Sequence, residues 1–291
     1  MGVGRRYWVI SGLALGWFML TNGPTWAAEH GGGTPNPIEH IVDQEIFKIS
    51  GFKMLTKYMI LEVIAAGLII AIYIPLAKRA RSGEPPRGAF QNFFEVLLTF
   101  VRDDIAKPNL GDHAADKYVP FLWTLFLFIL FCNLLGLVPY GGSPTANIYA
   151  TGGLALCVFF AIHGSAIAKM GVLPYLKSMW PHLDIPIPGV CFVINAGVCG
   201  IEILGNLIKN GVLAIRLFAN MLGGHSALAM IMLFILITAR GALGLWITIT
   251  FSSVAGAFFL NLLELLVAAL QAYIFVFLTA LFMGMALHPP H

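Results

Sequence analysis

Five polar residues recur through a run of otherwise apolar sequence: Glu202, Asn206, Lys209, Arg216 and Asn220. At about 100° per residue they fall within an arc of roughly 80° on one helix face. Ile203, Leu204, Leu213 and Leu217 surround them. One polar stripe on an apolar helix suits a wet channel wall or a polar protein interface. A network that merely fastens helices together is the plainer alternative. Arg216 is the sharpest point of the stripe. Arginine keeps its charge in essentially any environment, and a fixed positive charge favours the ionised form of a carboxylate beside it. A carboxylate on a moving partner would release its proton on arriving at Arg216 and take one up after leaving. A static ion pair within the chain is the other reading.

A second polar set lies downstream. Asn261, Glu264 and Gln271 again share about 80° of one helix face. Glu264 stands alone among leucines and needs a partner. His225 lies about 140° from the first stripe, next to Gly223 and Gly224, which allow close helix approach. Histidine titrates near neutral pH, so His225 with Glu264 could form a carboxylate–imidazole relay. The alternatives are a simply hydrogen-bonded histidine and a polar packing contact at Glu264. Asn133, Asn147, Thr151 and His163 read as polar glue rather than function.

The elements that must position these groups are membrane helices. Hydrophobic residues make up 58% of the 291 residues and charged residues only 11%, against about a quarter charged in soluble domains. An arginine or lysine at the centre of a span costs about 2.5–3.5 kcal/mol on insertion scales, so such residues are functional candidates by default. Apolar stretches predict spans over 54–76, ended by Pro75 and the basic cluster Lys78, Arg79 and Arg81, then over 119–138 and 147–168. The stretches 187–239 and 242–287 are far longer than one span needs. Each could exceed ~60 Å as a helix against a core of about 30 Å, so each must be strongly tilted, bent or folded into two passes. Between 89 and 106, Phe90, Phe93, Phe94, Leu97, Leu98 and Val101 recur at helical spacing beside Gln91, Asn92, Glu95, Arg102 and Asp103, the pattern of a helix lying in the interface.

Three regions follow. Residues 1–27 resemble a signal peptide, with Arg5 and Arg6 ahead of an apolar core and Thr25-Trp26-Ala27 at the cleavage point; a retained extra span is the rival. Residues 28–53 are a polar external segment, and 54–291 form the membrane domain. The connection 77–117 carries seven Lys or Arg, the turn 139–146 none and the connection 169–186 two. The richer connections therefore lie inside, with the N-terminus outside and the C-terminus inside, although Lys53 and Lys57 count mildly against this. The basic residues flank apolar runs and do not suggest nucleic acid. The four cysteines sit in apolar stretches without metal-ligand spacing. There is no Gly-rich phosphate loop, and Gly223-Gly-His-Ser226 lacks the spacing of a nucleophile elbow.

The stretch Arg216-Leu-Phe-Ala-Asn220-Met-Leu-Gly-Gly-His225 closely resembles the signature of the a subunit of F-type ATP synthases. Leu270-Gln271-Ala-Tyr-Ile-Phe275 resembles that family's second signature. Pro37-Ile-Glu-His-Ile-Val-Asp43, Asn133-Leu-Leu-Gly-Leu-Val-Pro139 and Ser143-Pro-Thr-Ala-Asn147 are similar too, and the likeness covers about residues 37–287. The resemblance implies two long, tilted helices against a ring of c subunits, with Arg216 facing the ring carboxylates and separating two aqueous half-channels. Asn220 and Gln271 would line the site near it. His225 and Glu264 would lie in the outer half-channel, Glu202 toward the inner one, and Lys209 sits at a family-like distance before the arginine. Many bacterial members carry a carboxylate at the 225-like position and histidine at the 264-like position. The two are exchanged here, which keeps a titratable pair. An acidic residue that some members carry three positions after Asn133 is Gly136 here, so a secondary relay is not expected there.

The expected fold is thus an all-α integral membrane protein of about five membrane helices, the last two long and strongly tilted, plus one interfacial amphipathic helix. The expected function is proton translocation within an ATP synthase of a bacterial inner membrane, with the c-ring, b-type peripheral stalk and soluble F1 head as partners. No cofactor, metal or catalytic role of its own is expected. A stand-alone channel or secondary transporter is the alternative, and it would conduct ions without any c subunit. An intramembrane hydrolase would need a nucleophile and base that the sequence does not offer.

Overall fold

The computed structural model describes residues 45–49, 52–81, 88–138, 143–178, 188–238 and 243–287. The expected leader and most of the polar segment 28–53 lie outside the described residues. A short antiparallel hairpin comes first, β1 (Glu45–Ile49) paired with β2 (Phe52–Thr56) so that Ile49 faces Phe52 and Glu45 faces Thr56. The first span therefore begins later than expected, because residues 54–56 extend β2. Helix α1 (Lys57–Arg81) also runs past the expected stop and carries Pro75 inside it. Proline removes one backbone hydrogen bond, and neighbouring groups in membrane helices commonly compensate for that loss.

Helix α2 (Ala89–Thr99) continues into a π-helical stretch, Phe100–Ala106, and a short α3 (Lys107–Leu110). The remaining elements are α4 (Asp112–Leu137), a 3-10 turn at Pro144–Ala146, α5 (Ile148–Met170), α6 (Val172–Ser178), α7 (Pro188–Thr238) and α8 (Leu243–Leu287). Five of these helices, α1, α4, α5, α7 and α8, are long and apolar enough to cross a membrane. The protein is an all-α integral membrane protein, with the hairpin as a small addition. In lipid a helix satisfies its own backbone polar groups, which is why the apolar runs take this form.

The two long stretches are each one continuous helix, of 51 and 45 residues. This removes the two-pass alternative. At ~1.5 Å per residue they reach ~77 and ~68 Å, more than twice a hydrocarbon core. Large apolar side chains such as Val63 and Ile201, each 71% exposed, cover the helix surfaces as lipid contact or partner contact requires.

The described chain divides into two compact units. One comprises residues up to Gly67, Leu130–Asn147 and Ala219–Ala269; the other comprises Leu68–Ile129, Ile148–Phe218 and the segment from Leu270 on. The first unit is held by a buried network. Asn133 Nδ2 donates to the Ala268 carbonyl at 3.2 Å, Thr145 Oγ1 donates to Asn133 Oδ1 at 2.8 Å, and Ser143 Oγ lies 2.6 Å from Thr145 Oγ1. Gly136 permits this, since a methyl there would meet Ser143 Cβ at 2.5 Å. Asn133 is polar glue, as its sequence setting suggested.

The second unit packs Leu122, Leu127 and Ile129 of α4, Val101 and Ile105 of the π-helical stretch, and Phe275 and Met283 of α8 in its buried interior. Tyr73 meets Trp123 edge-on at 5.7 Å between ring centroids, and Phe100 lies 5.7 Å from Tyr273. Gly284 lets α8 press directly against the Asn109 backbone carbonyl. Lys169 Nζ donates to the carbonyl of Leu287, the last residue of α8, at 3.0 Å. A cation there complements the negative end of the helix dipole.

Candidate functional site

Within the first unit, α7 supplies Asn220, Gly224 and His225, and α8 supplies Glu264. His225 Nδ1 stands 3.8 Å from Glu264 Oε1, and their side chains are 20% and 5% exposed. The expected carboxylate–imidazole pair is therefore brought together, at ion-pair distance. Both Glu264 oxygens and His225 Nε2 are buried without a hydrogen-bond partner among the described residues. Gly224 makes the approach possible. A methyl on it would meet Glu264 Oε1 at 2.7 Å and Cδ at 2.9 Å. A cavity of about 260 Å³ opens beside the carboxyl, lined by Asn220, Gly223, Gly224, Leu260, Leu263 and Glu264 among others. It is large enough for several waters, and water there could partner the unsatisfied polar atoms.

The second unit carries the rest of the stripe. Leu213 and Leu217 of α7 are buried, while Glu202 and Lys209 are exposed and Arg216 is half-buried. Helical periodicity explains the split: the apolar positions turn into the unit and the charged positions turn out of it. Lys209 Nζ lies 5.7 Å from the centroid of the Phe282 ring, a cation–π seat that steadies the side chain. Among the described residues, no carboxylate lies within ion-pair distance of Arg216. Gln271 is buried on α8. Asn210, which the stripe did not include, is also buried and donates to the Asn206 carbonyl at 2.9 Å.

Two features escaped sequence reasoning. The spatial meeting of Gly224 with Glu264 has no one-dimensional signal beyond the glycine pair itself. Tyr175 fell in a stretch read only as a polar connection, yet it is buried and hydrogen-bonded to His163.

Fold and site together define a polytopic helical membrane protein that keeps a charged stripe and a carboxylate–imidazole pair on its two longest spans. A family model described as ATP synthase A chain matches residues 59–284. ATP synthase subunit a of Myxococcus xanthus is 37% identical over 263 residues, covering 90% of this chain and 80% of the relative. The subunit a of Chloroherpeton thalassium is 36% identical over 274 residues, covering 87% and 77%. That of Anaeromyxobacter dehalogenans strain 2CP-1 is 43% identical over 206 residues, covering 69% and 50%. The chain belongs to the ATP synthase A chain family, and so is a component of an ATP synthase complex.

Proposed function

We propose that this chain is the proton-translocating stator subunit of an F-type ATP synthase, in which Arg216 faces carboxylates on a rotating c-ring. The observation that carries the reading is the state of Arg216: half-buried on an outward stripe, with no carboxylate partner among the described residues of its own chain. A buried charge without a partner is costly, and a carboxylate on a neighbouring ring would supply one. The guanidinium favours the ionised form of each ring carboxylate that passes. It also blocks protons from crossing directly.

Along α7 the order is Glu202, Arg216, His225. Glu202 and Lys209 would line the path on the inner side of the arginine. His225 and Glu264, opening to the cavity, would line it on the outer side, and Asn220 and Gln271 would serve the exchange near the arginine. Water in the cavity would carry protons to the carboxylate–imidazole pair. The chain carries no nucleotide site in this reading; ATP chemistry belongs to the soluble F1 head, and a b-type stalk holds the two together. The amphipathic α2 would lie in the interface. The setting is a bacterial inner membrane, with residues 1–27 as a leader, 28–53 external and the C-terminus inside.

Arg216→Ala tests this directly. In the assembled complex it should abolish ATP-driven proton pumping into vesicles while leaving the complex intact. Full pumping by that variant would overturn the assignment.

A further inference from the structure

The polar network of the first unit sits one helical turn from the carboxylate–imidazole pair. Asn133 on α4 is fully buried, and its Nδ2 reaches the backbone carbonyl of Ala268 on α8 at 3.2 Å. Ala268 follows Glu264 by four residues and lies on the same face of α8. Ala268 also shares a buried apolar cluster with Ala146 of the 3-10 turn and Met221 of α7. Met221 precedes His225 by four residues and lies on its face of α7. Four residues on along α7 and four back along α8 therefore lead from that cluster to the His225–Glu264 pair. The two helices run antiparallel here, and a single register produces both meetings.

We propose that Asn133 and Thr145 are positioning residues that hold α8 in this register, so that the Glu264 carboxyl stands opposite His225. The inference rests on the reading of that pair as part of the proton path and deepens it. Hydrogen counts fix the direction of the network. Thr145 has one hydroxyl hydrogen and gives it to Asn133 Oδ1 at 2.8 Å, so Ser143 Oγ donates to Thr145 Oγ1 at 2.6 Å. Donation thus runs from Ser143 through Thr145 and Asn133 to a main-chain carbonyl that no rotamer change can move. That carbonyl has two lone pairs and can take the amide beside its own helical partner. Ser143 and Thr145 are buried with Asn133, so the bonds form in a low dielectric, where they are strong. The turn is itself braced, with the Ala146 N–H donating to the Ser143 carbonyl at 2.9 Å and the Asn147 N–H to the Pro144 carbonyl at 3.1 Å. Apolar burial is non-directional and by itself leaves a long apolar helix free to slide. A hydrogen bond to a backbone atom has a fixed distance and angle. Closeness of approach is thus set at Gly224, and axial register at Asn133 and Thr145. The titratable groups among the described side chains of this unit are few: His225 on α7, Glu264 on α8, Cys132 on α4, and Tyr58 and Glu62 on α1.

The test uses the whole synthase reconstituted in liposomes. Thr145→Val keeps the shape of the side chain and removes its hydroxyl, Asn133→Leu removes both ends of the amide, and Thr145→Ser keeps the donor. Thr145→Val should slow proton flow by roughly fivefold, about what losing one neutral hydrogen bond does to an equilibrium, and should displace the pH dependence of flow. Asn133→Leu should do at least as much, and Thr145→Ser should match the parent in both measures. In a Glu264→Gln background, which has no carboxylate left to position, Thr145→Val should slow flow no further. Parental flow and pH profile in Thr145→Val and Asn133→Leu would overturn the positioning role. Slower flow with the parent's pH profile would do so too, as would full additivity with Glu264→Gln, since either means an effect that does not pass through Glu264. Loss of the assembled complex in both variants would also overturn it, by showing the network to be a fastening contact only. Arg216→Ala, measured alongside, separates the two claims. If it blocks pumping while the network variants behave as the parent, only the positioning role fails; if it pumps normally, the underlying proton-path reading fails.

Discussion

The imidazole of His225 stands 3.8 Å from the Glu264 carboxylate, and neither Glu264 oxygen has a hydrogen-bond partner among the described residues. The two groups sit at the distance of an ion pair with space for water beside them. A pair arranged this way can hold or pass a proton. Glu264→Leu and His225→Leu should each slow proton flow through the assembled synthase without abolishing it. Rate and pH dependence matching the parent in both variants would take them out of the path.

Gly224 is the residue that allows this pairing. Its missing side chain leaves room for Oε1 of Glu264, which an added methyl would meet at 2.7 Å. Gly224→Ala should push the carboxyl out of place and reduce pumping by about ten- to a hundredfold, the range for a misplacement near 1 Å. Shortening the acid in the double variant Gly224→Ala with Glu264→Asp should recover part of the loss. A single variant that pumps at the parent rate would show that the carboxyl relaxes freely.

A different glycine decides how the segment after α2 docks. A methyl at Gly284 would land on the Asn109 backbone carbonyl, which cannot swing aside as a side chain would. Gly284→Ala should therefore destabilise the complex by about 1–3 kcal/mol, read as faster thermal inactivation in detergent. Gly67→Ala, where nothing lies within 4 Å, should leave that rate unchanged and serves as the control.

Tyr175 offers a titration with a defined sign. Burial, and then Glu202, raise its hydroxyl above the usual 10.0. The unfolded chain would lose this proton at a lower pH than the folded protein. The group's contribution to stability is thus intact below 10.0 and lost as pH climbs through the higher folded value. The tyrosinate absorbance difference between the parent and Tyr175→Phe should appear above the ordinary range, and Glu202→Gln should lower it part of the way. A difference that titrates at or below the ordinary value would remove the electrostatic link between the two residues.

Much of this protein was legible along the chain. A polar group inside an apolar run carries a large insertion cost wherever the helices pack. Arg216, Glu202, Lys209, Glu264 and His225 therefore stood out by composition and period alone. The five spans did so for the same reason, since a bilayer demands long apolar helices. The tertiary structure decided what depends on meetings between distant segments. The stretches 187–239 and 242–287 could have bent or turned back, and backbone continuity made each a single helix. Pro75 could have ended α1, but the helix tolerates it. The approach of Gly224 to Glu264, the seating of Gly284 on Asn109 and the bond from Tyr175 to His163 are set by which small residue on one helix happens to face which side chain or carbonyl on another. Spacing within one helix carries no information about that register.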